Sequence, residues 1–569
     1  MAPATVTIAN GATWQDVAAD RQRYRDTTIS EVHPPVPELS LEERPLNTTA
    51  IPKKFLTEEE IEVTGTDVEE LVKKIASGEW TSTAVATAFL RRAGLAQKLA
   101  NCITELLPKK ALTRAAELDQ YLATYKKPIG PLHGVPISVK EHMGFKGEDA
   151  NAGFVGWVGQ VPEEDSLILQ YLWNSGAVFY ARTTQPQTLM HLETSSNLYG
   201  ATVNPHNTTL TAGGSSGGEG ALVALRGSIL GIGSDIGGSI RSPAANNGVF
   251  GYKPTCLRLP SDGWAVAMHG AESILGTTGP LSTSLEGLRL FSKVIVDQKP
   301  WLRQPSLTAM DWKSSAEFFP DRKLRVGVIY SDNVVRPHPP ILRALTELVA
   351  KLKQSSNIEV VDWNPWKHDL AWSIIASLYF ADGGADVKAA IASSGEPWLP
   401  LSKFILLDNP HVKEHTIASL WEAVSAREEY RTKYAQLWNE TARSSPEGRP
   451  IDVILCPTGF GVAPKLETSR YWGYTSQWNL LDYPAIVFPV ADRVDAPERE
   501  KPFEYPEDYK PIGEEDKYVY DLWRQNGAEG YKDAPISLQL VGRRNHDEQL
   551  FKAMQILLEE AGLPAAVPA

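Results

Sequence analysis

Apolar residues recur at helical spacing in three successive segments early in the chain, and then the spacing changes. In TGTDVEELVKKIASGEW, Val68, Leu71, Val72 and Ile75 form one stripe ending at Gly78, which predicts a helix. Thr66, with Glu69 three residues on, reads as its capping box. A second helix is expected from Thr81 through TSTAVATAFLRRAGLAQKLA, and a third around Ala111 to Tyr125. From Gly134 short apolar runs take over: VPISV (135–139), AVFYA (177–181), ILGIG (229–233) and GVFGYK (248–253). They alternate with helical stretches and Gly-rich turns, the pattern of an α/β protein built on a sheet. Further strands are expected at LRVGVIY (324–330), VVDW (360–363), DVILCP (452–457), AIVFPV (485–490) and ISLQLVG (536–542).

A length of 569 residues alone suggests two to four domains. Strand and helix signals nevertheless run on without a clean linker, so one large folded unit from residue 56 to 569 is expected. Residues 1–55 are polar and Pro-rich, with one amphipathic stretch around Trp14 to Tyr24, and read as an arm draped over the surface or over a partner subunit. The segments 301–450 and 495–532 read as insertions over the sheet.

Charge and cysteine content narrow the function. With 69 acidic against 56 basic residues the net charge is −13, and no Lys/Arg cluster is present to hold a phosphate backbone, so a nucleic-acid partner is not expected. Cys102, Cys256 and Cys456 lie far apart, which indicates neither a disulfide framework nor a zinc site and fits a reducing compartment. No apolar run is long enough for a membrane span and no secretory signal is evident, so a cytoplasmic protein is expected.

The chemistry is concentrated in TAGGSSGGEGALVALRGSILGIGSDIGGSIRSPAANN, residues 211–247. Repeated glycine implies backbone bends or close approach of backbone to a ligand. A phosphate-binding loop needs GxxxxGK[ST] or GxGxxG, and GGSSGGEG has no following Lys. A nucleophile elbow needs GxSxG, and GGSIR around Ser239 does not fit. Acyl transfer remains: Ser239 as nucleophile beside an oxyanion hole made of the N–H groups of Ile236, Gly237, Gly238 and Ser239. Such a serine needs a base, and Lys140 ends the apolar run VPISV. Position alone leaves it either a solvated surface charge or a desolvated amine able to take a proton near neutral pH.

Three blocks carry a family resemblance: GVPISVK (134–140), GGSSGG (213–218) and DIGGSIR (235–241), with 75 residues from Lys140 to Ser215 and 24 from Ser215 to Ser239. The chain resembles the amidase signature family, and KKPIGPLHG, PQTLM (186–190), HPPILR (338–343), ADGGADV (381–387), SGEP (394–397) and LVGRR (540–544) extend the likeness toward its fungal acetamidase-like branch. The resemblance implies a single amidase-signature domain, core signature about 134–250, with a mixed twisted sheet covered by helices on both faces. It implies Ser239 as nucleophile, Ser215 after a cis peptide bond as proton relay and Lys140 as base. No metal or cofactor is implied, and a homodimer is the expected assembly. The expected reaction is hydrolysis of a small to medium uncharged carboxamide to acid and amine or ammonia. Anilides, carbamates and esters are chemical variants, and the A subunit of a tRNA-dependent amidotransferase shares the signature.

Other residues take supporting roles. Ser216 is expected to support by hydrogen bonding and Asp235 with Arg241 to shape the loop. Leu189, Met190 and His191 match a cavity-lining stretch of the family and are expected at the substrate. His133 and His142, which flank Lys140, are expected to be structural. The cluster YWGY (471–474) with Trp478 reads either as the acyl pocket or as ordinary packing.

Overall fold

The computed structural model describes residues 12–39, 45–319 and 322–568, so parts of the expected arm, residues 1–11 and 40–44, lie outside the described residues. Eleven strands form one sheet: Ile103–Leu106 (β1), Pro136–Lys140 (β2), Val178–Thr183 (β3), Leu230–Asp235 (β4), Phe250–Lys253 (β5), Thr277–Ser282 (β6), Leu324–Val328 (β7), Ile358–Asp362 (β8), Val453–Pro457 (β9), Ala485–Arg493 (β10) and Pro535–Val541 (β11). Their order is β1-β3-β2-β4-β6-β5-β10-β11-β9-β7-β8. β2 runs parallel to β3 and β4, and β7 parallel to β8 and β9; every other pair is antiparallel. All nine strands predicted from the sequence are present in this sheet, where β1 and β6 are additional, and four further short strands over 195–211 pair in two separate two-stranded sheets.

Both faces of the sheet are buried because successive side chains of a strand point to opposite sides. Along β9, Val453 and Leu455 enter one apolar cluster with the helices Pro339–Leu352 and Asp547–Ala561. Ile454 and Cys456 enter another with the helices His368–Tyr379 and Ile417–Glu440. Segment 301–450 is thus only partly an insertion, since β7 and β8 extend the sheet itself.

The three expected helices span Val68–Ser77, Ser82–Ala100 and Pro108–Tyr125, and the first ends at Gly78 in the left-handed region. Its expected capping box is not formed. Asp67 is the N-cap, and the Thr66 hydroxyl instead donates to the Glu62 carbonyl of the preceding turn. A capping box sits one helix earlier, where Thr57 and Glu60 each bond the other's backbone.

The arm packs on its own chain. Thr13 and Asp16 cap a helix over Trp14–Ser30, Gln22 Nε2 donates to the Leu198 carbonyl (2.7 Å), and the Leu106 N–H donates to Thr28 Oγ1 (3.0 Å). Ile29, Val32 and Val36 are buried in the same apolar cluster as β2, β3 and β4. No helix among the described residues is long and apolar enough to cross a membrane.

β2 and β4 place the site. They are parallel neighbours in register Ser138↔Gly231 and Val139↔Ile232, so Lys140 at the end of β2 and Ser234–Asp235 at the end of β4 reach the same edge of the sheet. Ligand sites of α/β sheets gather at such carboxyl ends.

Candidate active site

Lys140 has no exposed surface. Its Nζ is 2.5 Å from Ser215 Oγ and 3.1 Å from Ser234 Oγ. Burial penalises the ammonium and pushes the amine down to about 7, against the pull of Asp235 and Glu219 toward the charged form. The desolvated alternative for Lys140 is therefore the one that the fold adopts. Ser215 follows a cis peptide bond from Gly214, and Ser215 and Ser239 line the same cavity. The backbone ties their loops together, with the Ser216 N–H donating to the Ser239 carbonyl (3.0 Å). Ser216 Oγ accepts from the Ser234 N–H at 3.4 Å, so this hydroxyl sits between the loops.

The turn that carries Ser239 is built around Asp235. Its carboxylate accepts from the Gly238 N–H (2.9 Å), the Ile240 N–H (3.1 Å), Arg241 Nε (3.0 Å) and Nη2 (2.9 Å), and Asn479 Nδ2 (2.9 Å). Burial alone would raise this carboxyl, but the charge and hydrogen bonds of Arg241, with Lys253 and Asn479, hold it below the usual carboxylate range. Gly238 adopts φ +133°, and a Cβ there would lie 2.5 Å from Thr475 Oγ1, so the position requires glycine. Its N–H, expected at the oxyanion hole, is taken by Asp235. Among the described residues the N–H groups of Ile236, Gly237 and Ser239 meet no acceptor. Tyr379 Oη donates to the Ile236 carbonyl (2.8 Å) and Thr475 Oγ1 to the Gly237 carbonyl (2.6 Å). Because C=O and N–H point oppositely across a trans peptide, the Tyr379 contact turns the Gly237 N–H away from Tyr379.

The cavity above these groups has a volume of about 260 Å³. Leu189, Met190, Ile236, Ala267, Ile274 and Leu378 give it an apolar wall, while Asp262 and His269 contribute exposed polar groups, and no Lys or Arg lines it. Leu189 and Met190, expected at the substrate, line this cavity. His191 does not: it is 1% exposed, both ring nitrogens lack partners, and burial lowers its imidazole to about 3. The positive φ of Thr188 and Leu189 turns the chain so that Leu189 and Met190 reach the cavity while His191 lies in the interior. The aromatic cluster at 471–474 is packing. Trp472 stands against Tyr379 behind the Ser239 turn, Tyr474 Oη donates to the Val335 carbonyl (2.6 Å), and Trp478 stacks on Tyr483. His133 lies away from the cavity, its Nδ1 accepting from the Ile129 N–H at 3.1 Å.

The profile of the Amidase family matches residues 84–551. The chain belongs to the amidase family. Acetamidase of Emericella nidulans is 38% identical over 94% of this chain and 96% of its own length. Acetamidase of Aspergillus oryzae is 36% identical over 95% and 97%. A solved fatty acid amide hydrolase superposes with a TM-score of 0.89 at 34% identity, covering 97% of this chain and 96% of that one. The amidase is accordingly an amide-hydrolysing enzyme.

Three residues of this amidase's site escaped sequence reasoning. Ser234 bonds Lys140, and its Oγ also lies 2.9 Å from His142 Nε2; the only advance signal was its place three residues before the GG-Ser block begins. His142, read as structural, lines the cavity. Glu219 is fully buried, accepting from Ser138 Oγ (2.5 Å) and Thr183 Oγ1 (2.8 Å), and burial raises it to about 7. Its presence in GGSSGGEG gave no hint, because a Glu in a Gly-rich loop reads as solvated.

Proposed function

We propose that the amidase hydrolyses a small to medium uncharged carboxamide through a Ser239–Ser215–Lys140 relay. The observation that carries this reading is the 2.5 Å contact between a fully buried Lys140 amine and Ser215 Oγ at the floor of a cavity that Ser239 also lines. Ser239 Oγ attacks the carbonyl carbon, and its proton passes to Ser215 while the Ser215 proton passes to the Lys140 lone pair. The developing oxyanion is received by the free N–H groups of Ile236, Gly237 and Ser239, with the Gly238 N–H spent on holding the turn. The lysine proton returns through Ser215 to the leaving nitrogen as the C–N bond breaks, leaving an acyl group on Ser239. Water then attacks this ester, losing its proton through Ser215 to Lys140, and the acid departs as Ser239 regains a proton.

The cavity supports the substrate class. About 260 Å³ is somewhat below the 300–1,000 Å³ typical of drug-sized ligands. Its apolar wall suits an uncharged acyl group, and a glutamine carboxylate would find no cationic partner among the lining residues. The test is steady-state hydrolysis of acetamide, benzamide, acetanilide, ethyl carbamate, a long-chain fatty amide and glutamine by wild type and Ser239→Ala. Turnover of a non-glutamine amide that vanishes in Ser239→Ala is expected. Activity untouched by the substitution, or glutamine turnover alone, would overturn the proposal.

A further inference from the structure

His142 stands at the cavity with no part in the relay described so far. Its ring meets Trp264 edge to face at a centroid separation of 5.3 Å, and both side chains line the cavity. Its Nε2 is 2.9 Å from Ser234 Oγ, which is 3.1 Å from Lys140 Nζ, which is 2.5 Å from Ser215 Oγ. One buried hydrogen-bonded chain therefore runs from the cavity wall through Ser234 to the amine and on to Ser215.

Counting protons along this chain fixes its directions. A neutral amine has N–H donors and a single lone pair, and a hydroxyl has one donor. If the lone pair is to take the Ser215 proton, Lys140 can only donate toward Ser234. Ser234 Oγ then accepts from Lys140 and has its own O–H left to place. The acceptor within reach is His142 Nε2, which requires the ring proton on Nδ1. Nδ1 meets no partner in hydrogen-bond geometry, so nothing on that side opposes this tautomer by claiming Nδ1 as an acceptor. Without an acceptor at position 142 the Ser234 hydroxyl is free to rotate and donate into the lone pair, competing with Ser215.

We propose that His142 is a positioning residue whose Nε2 holds the Ser234 hydroxyl and thereby keeps the Lys140 lone pair aimed at Ser215. This deepens the reading of Lys140 as the base and rests on it. Burial and the Lys140 charge, with Arg182 beyond, keep the imidazole neutral against a smaller opposing pull from the Ala265 backbone, so it serves as a fixed acceptor. The charges acting on Lys140 itself are Asp235 and Glu219.

Two substitutions separate acceptor from ring. His142→Phe keeps an aromatic edge on Trp264 and removes the acceptor, whereas His142→Gln keeps an acceptor oxygen and removes the ring. We expect His142→Phe to lower kcat about tenfold, the scale of one lost buried hydrogen bond, with KM within about twofold. Its acid limb should move to lower pH, because the Lys140 ammonium loses an aligned acceptor oxygen at Ser234. His142→Gln should recover most of kcat and the wild-type limb. Ser234→Ala should resemble His142→Phe, and combining the two should add little, as expected for groups in one network; this cycle also serves if His142→Phe does not fold. The inference falls if His142→Gln is as impaired as His142→Phe, if His142→Phe matches wild type in kcat and limb, or if the His142→Phe and Ser234→Ala effects multiply. Lys140→Met separates the two levels: an active Lys140→Met sinks the base and this inference together. An inactive one beside an indifferent His142→Phe sinks this inference alone.

Discussion

The buried amine makes a quantitative prediction about pH. With Lys140 pushed down to about 7 instead of its ordinary 10.5, its neutral fraction is about one tenth at pH 6 and about nine tenths at pH 8. An unperturbed lysine would be neutral in only about three molecules in ten thousand at pH 7. In the proposed relay the base works as the free amine, so kcat/KM should rise roughly tenfold between pH 6 and 8 with a midpoint near 7, where acid protonates that relay. Glu219, raised to about 7 by burial, titrates beside it, so the limb belongs to the pair. Glu219 favours the ammonium; Glu219→Gln removes that pull and should move the limb toward lower pH. Lys140→Met, which fits the buried site without a charge, should cut kcat/KM by about 10²–10⁴ and flatten the limb. Initial rates of amide hydrolysis between pH 5 and 9 are the assay, with thermal melting to check that the variants are folded. A wild-type profile flat across pH 6–8, or a limb that survives in Lys140→Met, would refute the reasoning.

Three further outcomes are expected. Gly238→Ala meets both a backbone at φ +133° and Thr475 Oγ1 at 2.5 Å, so it should distort the Ser239 turn and lower kcat at least about 10²-fold, measured by the same hydrolysis assay. Asp235→Asn leaves the fully buried Arg241 guanidinium without its counter-charge and should cost about 3–5 kcal/mol in urea unfolding, along with activity. Gly94→Ala would gain about 1 kcal/mol of helix propensity but bring a methyl within 2.5 Å of Val36 Cγ2. Overpacking of about 1–3 kcal/mol should win, and limited proteolysis should then cut the chain more readily near Val36.

Strands with an uninterrupted apolar run were legible in the sequence, and the two of the eleven-stranded sheet that escaped had physical reasons to hide. β1 is four residues between two helices, too short for a period to develop. β6 reads TTGPLS, text that suggests a turn, yet it lies in the middle of the sheet. Gly279 is required there because a Cβ would lie 2.2 Å from the Tyr252 carbonyl. Within the site, Lys140, Ser215 and Ser239 were named because motif spacing and family resemblance converge on them. The bonds of Ser234, the depth of Glu219 and the turning of His191 away from the cavity were hidden. Each depends on how β2, β4 and the Thr188–Leu189 turn meet in space, which local spacing does not encode.

Covalent trapping tests the central claim most directly. The amidase is treated with an alkyl fluorophosphonate, and the adduct is located by intact-mass and peptide mass spectrometry in wild type, Ser239→Ala, Ser215→Ala and Lys140→Met. The account predicts one adduct, on Ser239, absent in Ser239→Ala and formed far more slowly in the other two variants. An adduct on a different serine, or labelling of Ser239 indifferent to Ser215 and Lys140, would contradict it.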